Sequence, residues 1–211
     1  MVHVFLLGDS VFDNAAYVGG GPDVVRQLQA LLPAGAQAGL RAVDGAVVAD
    51  VAGQLARVHS AATHLVVSVG GNDALGHIDV LEEEANSVAT VLDRLAAIRA
   101  SFEAEYRTML RTVLARRLRT TLCTIYEPRF PDPRLRRLAA AGLVHFNDVI
   151  ATQAFAHGLP LIELRLVCDR DEDFANAIEP SETGGAKIAR AIARVLAVHD
   201  FEQGRSGVFV R

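Results

Sequence analysis

The chain has 211 residues, is 51% hydrophobic, and carries 21 basic against 25 acidic side chains for a formal charge of -4. That length suits one domain over 1–211 with a substantial core, and that hydrophobicity excludes intrinsic disorder. No basic stripe points to nucleic acid; the arginines of Arg107–Arg119 read as the solvated face of a helix.

Val2–Leu7 is a short apolar, β-branched run, read as a buried parallel strand. It is only about six residues long and has no basic region before it, so no secretory leader is expected. No stretch approaches the ~20 residues of a membrane span, and the expectation is a soluble cytoplasmic protein. The strand runs into Gly8-Asp9-Ser10, turn residues that also place a hydroxyl at the carboxyl end of the sheet. Pro22-Asp23 opens a helix over Val24–Leu32, and Pro33–Gly39 is a loop. Leu40–Val43 is a short strand stopped by Asp44-Gly45. Val47–His59 shows helical spacing of Val48, Val51, Leu55 and Val58.

Thr63–Val69 is a third buried strand, ending in Gly70-Gly71-Asn72-Asp73. A long helical region follows from Val80 to Leu118, with a bend expected at Arg99–Ser101. Thr120–Tyr126 is a fourth strand, closed by Glu127–Pro133, where Glu127 and Arg129 are expected to pair at the rim. Arg134–Ala156 is helical, and Leu159–Leu166 carries a fifth strand. Cys168–Glu179 is an acidic loop, read as solvated in preference to cation-binding; Ser181–His199 is a helix capped by Ser181; Gly204–Arg211 is a loose tail. Cys123 and Cys168 lie in apolar segments without metal-ligand spacing and read as free buried thiols. Regular strand–helix alternation predicts a mostly parallel, five-stranded sheet with helices on both faces.

In such a sheet Gly8-Asp9-Ser10, Asp44-Gly45 and Gly70-Gly71-Asn72-Asp73 converge on one edge. A hydroxyl, a glycine N–H and a side-chain amide would then share a crevice. Acyl transfer from an ester needs those groups: a nucleophile, and donors for the oxyanion that develops.

These blocks, in this order, resemble the SGNH (GDSL-type) hydrolases over essentially the whole chain. The resemblance implies a three-layer α/β/α sandwich of flavodoxin-like order. It also implies esterase, lipase or deacetylase chemistry on a small-molecule ester, with no metal or organic cofactor. It makes Ser10 the nucleophile, with Gly45 and Asn72 as oxyanion donors. The family's fourth block has an Asp and a His, three apart, before a Pro and the final helix. The matching run here is Asn176-Ala177-Ile178-Glu179-Pro180-Ser181, so Asn176 stands at the Asp position and Glu179 at the His position.

That exchange alters the chemistry. An imidazole with pKa near ~6.5 becomes a cation beside the oxyanion once it takes the serine proton. A carboxylate starts near ~4.3, opposes the oxyanion while charged, and becomes neutral on protonation. Burial would raise its pKa and recover part of the loss. Three readings stay open: Glu179 as base, a histidine from elsewhere (His77 nearest by sequence), or a degenerate site that binds without turnover. Asp9 reads as orienting the turn. Asp13 and Asn14 read as capping the following segment more than lining the entrance, and Asp73 as bonding backbone near the oxyanion site. No nucleic-acid or membrane partner is expected, and monomer and homodimer stay open.

Overall fold

The computed structural model describes residues 2–210. Its sheet is built from β1 (His3–Gly8), β2 (Gln37–Leu40), β3 (His64–Ser68), β4 (Arg119–Cys123), β5 (Leu161–Ile162) and β6 (Val208–Phe209). All pairings are parallel, in the order β2-β1-β3-β4-β5-β6. The helices are α1 (Val24–Leu31), α2 (Val51–Ala56), α3 (Gly71–Leu75), α4 (Val88–Leu114), α5 (Pro133–Ala156), α6 (Leu164–Val167) and α7 (Glu182–Val198).

The central strands are buried on both faces, and their side chains alternate between two cores. Leu7, Leu65 and Val67 point to the side covered by α2, α4 and α5, where Tyr106, Leu110 and Ile150 pack. Val4, Leu6 and Val66 point to the side covered by α1 and α7, where Leu28, Ile188 and Ile192 pack. This is the expected three-layer α/β/α architecture.

The details depart from expectation in several places. The sheet has six strands, because Val208–Phe209 in the supposed tail pairs with Leu161–Ile162; Arg211 lies outside the described residues. The second strand is Gln37–Leu40, three residues ahead of its expected start. Its Gly39 is needed because a side chain there would collide with the Phe5 ring. The helix expected over Val47–His59 is a 3₁₀ turn, Val48–Asp50, followed by α2. No break occurs at Arg99–Ser101: α4 is continuous, and Arg99 bonds Glu103 at 2.9 Å and Asp148 on α5 at 2.7 Å. The fifth strand is two residues long before the chain turns into α6.

β1 leads to β2 on one side of the sheet, and β3 starts the run on the other. The β1/β3 border is therefore the switch point, where the loops beyond the strands splay apart and leave a crevice. Gly8 pairs with Ser68 at that border.

Candidate active site

Ser10 follows Gly8 (φ +126°), where a side chain would run into the Ser68 carbonyl. Only glycine permits that approach. Gln54 of α2 grips the Gly8 peptide from the other side: the Gly8 N–H donates to Oε1 and Nε2 donates to the Gly8 carbonyl, both at 2.7 Å. The Asp9 N–H donates to Ser68 O at 3.1 Å, and the Asp9 carboxylate accepts from Val11 N at 3.1 Å. The hydroxyl of Ser10 is thus presented by a turn bonded on every side. Sequence reading missed Gln54; its signal was a polar residue on the buried face of an otherwise apolar helix turn.

Ser10, Asn72 and Glu179 line one cavity of about 130 Å³. The Asn72 amide donates one hydrogen to Ala46 O at 2.9 Å, which fixes its orientation and leaves a second N–H. Gly45 (φ +78°) precedes Ala46, so this bond also holds the Gly45 turn. Gly45 is exposed and does not line the cavity itself. Neither Ser10 N–H nor Gly45 N–H donates to another group among the described residues. Asp73 accepts from Val48 N at 3.2 Å, the backbone role expected of it.

Glu179 is 6% exposed, and its Oε2 has no hydrogen-bond partner among the described residues. Burial raises its pKa above the ordinary glutamate value; the Ser10 hydroxyl, bonding to its carboxylate, offsets part of that rise. Asp9, fully buried, is pushed up to about 7, mainly by burial, with the fields of Glu179 and Asp73 adding to it.

The loop carrying Glu179 is pinned at successive residues. Arg129 N donates to Ala177 O at 2.6 Å, Tyr126 OH to Ile178 O at 2.6 Å, and Asn14 Nδ2 to Pro180 O at 3.2 Å. Contrary to expectation, Asn14 makes no side-chain cap to the segment just after it; its Oδ1 accepts instead from Val24 N at 3.0 Å, in the first turn of α1, whose own cap is Asp23, so Asn14 ties α1 to this loop. Asn176 does not hold the carboxyl of Glu179. Its Oδ1 accepts from the N–H of Ile178 and of Glu179, both at 2.9 Å, so it shapes the turn and is itself exposed. The clamp from Tyr126, which was expected to end the fourth strand and lies three residues beyond β4, had no sequence signal separate from core packing.

His77 lines the same cavity, but it is exposed and its ring packs 6.4 Å from Phe146; no hydrogen bond joins it to Ser10 or Glu179 among the described residues. His145, read from sequence as an ordinary helix residue, also lines the cavity. The remaining wall is apolar: Leu75, Ile78, Leu95, Ile98, Phe130 and Leu143 extend it between α4 and α5. Arg129 does not pair with Glu127; it reaches Asp171 at 3.3 Å, and Arg136 reaches the same carboxylate at 3.0 Å. Cys123 and Cys168 are free and buried. Among the described residues no cluster could hold a metal ion, and no helix is long and apolar enough to cross a membrane.

Residues 6–187 match the GDSL-like Lipase/Acylhydrolase family, and the chain belongs to it. Its fold is similar to that of an extracellular lipase from Streptomyces rimosus, at 18% identity and TM-score 0.65 over 93% of this chain and 99% of that one. It is similar also to a lipase/acylhydrolase from Enterococcus faecalis, at 21% identity and TM-score 0.62, covering 92% and 96%. An acetylxylan esterase from Geobacillus stearothermophilus aligns at 16% identity and TM-score 0.63, covering 95% of each chain. Comparison with curated proteins finds no match.

Proposed function

We propose that this protein is a carboxylic-ester hydrolase or acyltransferase in which Ser10 is the nucleophile and Glu179 the base at the position where the family has histidine. The observation that carries the reading is that Ser10, Asn72 and Glu179, which is buried with one carboxylate oxygen unbonded, line one apolar cavity. Family membership supports the ester chemistry.

The Ser10 oxygen attacks the ester carbonyl while the Glu179 carboxylate takes its proton. The oxyanion is received by the N–H of Ser10 and the free N–H of Asn72, and Gly45, off the cavity wall, acts through the turn that Asn72 holds at Ala46. On collapse, protonated Glu179 returns the proton to the departing alcohol oxygen. Water or a second alcohol then releases the acyl group by the same steps in reverse. Burial makes Glu179 a stronger base than an exposed glutamate, which offsets part of what it loses to imidazole. Asn176 contributes by setting the turn, with no charge to offer. The apolar wall suits a hydrocarbon acyl chain, whose burial is worth ~0.8 kcal/mol per methylene.

The test is hydrolysis of p-nitrophenyl butanoate and octanoate by wild type and Ser10→Ala. A Ser10-dependent rate at least ~10³-fold above the variant is expected; equal rates overturn the reading. A fluorophosphonate that fails to label Ser10 would favour a protein that only binds its ligand.

A further inference from the structure

The cavity that holds Ser10 has a glycine at the centre of one wall. Leu75, Ile78, Leu95 and Ile98 line it on one side. From α5 it is lined by Leu138, Ala139, Gly142, Leu143, His145 and Phe146. At about 100° per residue these form a single stripe down the helix. Leu138, Gly142 and Phe146 stand at i, i+4 and i+8, nearly in line, with Leu143 to one side and His145 to the other. Gly142 is therefore in the middle of the stripe, and a side chain there would point into the cavity.

Glycine is among the weakest helix formers, so its place in mid-helix needs a reason. In α7 the reason is close approach. A side chain at Gly184 would run into the Asp173 carbonyl, and one at Gly185 would press on Gln27, Val24 and Asn14. Gly53 of α2 is open on its outer side, but it is exposed and does not line the cavity. Gly142 is half-buried and its φ is not left-handed. A methyl group placed on it would meet no other described group within 4 Å. Neither backbone conformation nor packing calls for glycine at this position. What the missing side chain leaves is room beside the nucleophile.

An apolar cavity of ~150 Å³ takes a benzene ring, and this one is about 130 Å³. We propose that Gly142 sets the acyl specificity: the acyl half of the ester is a straight chain of about six carbons that starts at Ser10 and lies across Gly142, in space a larger residue there would occupy. This rests on the esterase reading above and names its substrate class. Each methylene buried along the wall strengthens binding, so kcat/KM rises with chain length and stops rising where the cavity ends.

The test is kcat/KM for p-nitrophenyl acetate, butanoate, hexanoate and octanoate with wild type, Gly142→Ala and Gly142→Leu. The leaving group is constant, and the ratio of variant to wild type at each length removes intrinsic reactivity. Wild type should gain about fourfold per methylene up to hexanoate and little beyond. Gly142→Leu should hold acetate within about twofold and lower hexanoate by about 10²-fold, the worth of three or so methylenes. Gly142→Ala should lower hexanoate by about fourfold, with a Tm at or above wild type because alanine favours the helix. Ala141→Leu, on the exposed side of α5, should leave the profile as it is. A wild-type profile flat from acetate to hexanoate, or a Gly142→Leu that treats the two esters alike, overturns the proposal, while Ser10-dependent turnover of acetate leaves the esterase reading standing. Should Gly142→Leu fail to fold, Gly142→Ala decides by the same ratio. If no ester shows Ser10-dependent turnover, the esterase reading falls, and the cavity is read by calorimetry with methyl hexanoate. Binding that Gly142→Leu or Gly142→Ala weakens supports the assignment of Gly142; no binding, or binding indifferent to both, overturns it.

Discussion

Asp173 and Glu179 belong to the same loop, and both are buried, at 0% and 6% exposure. Asp173 is met by Lys187, which donates to Oδ2 at 2.7 Å and stands 2.7 Å from Oδ1 as its ion-pair partner, and by the N–H of Arg170 at 3.0 Å. Glu163, at the end of β5, is treated similarly. Burial pushes it up, but Arg165 and the Thr124 hydroxyl outweigh that and hold it below the ordinary glutamate value. Around Ser10 the opposite holds. Glu179 and Asp9 are both raised, and no cation faces either among the described residues. The chain sets a cation against its buried carboxylates where they serve the fold, and sets none against those at the catalytic edge among the described residues. Free energy that would stabilise the protein is left unspent at the one place where a proton has to move.

Removing the partner of a satisfied carboxylate should have the largest effect. Lys187→Ala leaves Asp173 buried and unpaired, and should cost about 3–5 kcal/mol of stability in a denaturant titration. Glu179→Gln should do the reverse: it lowers kcat by about 10²–10⁴ yet matches or exceeds wild type in Tm, because burial disfavours the charged carboxylate that the amide replaces. A stability loss in Glu179→Gln like that of Lys187→Ala would erase the distinction between the two regions. Asn72→Ala should lower kcat by about 10²–10³ with little change in KM, since its N–H matters at the oxyanion.

Asp9 sharpens the comparison through pH. Its folded pKa, about 7, lies above the ordinary 3.8. A group raised in this way gives stability that is complete below the unfolded pKa and is lost as pH rises through the folded one. Wild type should therefore lose stability between about pH 4 and 7 relative to Asp9→Asn, a difference of a few kcal/mol by alkaline pH. Asn keeps the acceptor for Val11 N. The smallest effect is expected of Asn176→Ala. Losing two bonds to backbone N–H groups on an exposed turn should cost about 1 kcal/mol and lower kcat by about tenfold through looser placement of Glu179.

The fold was legible where burial on both faces produces unbroken apolar runs, as in β1 and β3. It was least legible at the sheet margins. Residues 37–39 of β2 read as a loop because an edge strand carries Gln and Gly. Val208–Phe209 is too short, and too close to Gly204-Arg205-Ser206, to show any period. The supposed bend in α4 failed for another reason: polar residues mid-helix pair with α5 across the layer, a contact invisible along one chain. In the site, Ser10 and Asn72 stood out because glycines mark their turns, and Glu179 because the family resemblance places it where that family has histidine. Gln54 and Tyr126 did not, since a buried polar side chain gripping a distant peptide looks like any other core position until the fold joins them.

Asn14 binds the first turn of α1 with one end of its amide and the Pro180 carbonyl with the other. The proton acceptor's seat is thus wired to a segment laid down just after the first strand, and the C-terminal third must dock before the nucleophile has anything to work with. Turnover should vanish early in a urea titration, ahead of the circular-dichroism transition, so that activity is the first thing melting takes away.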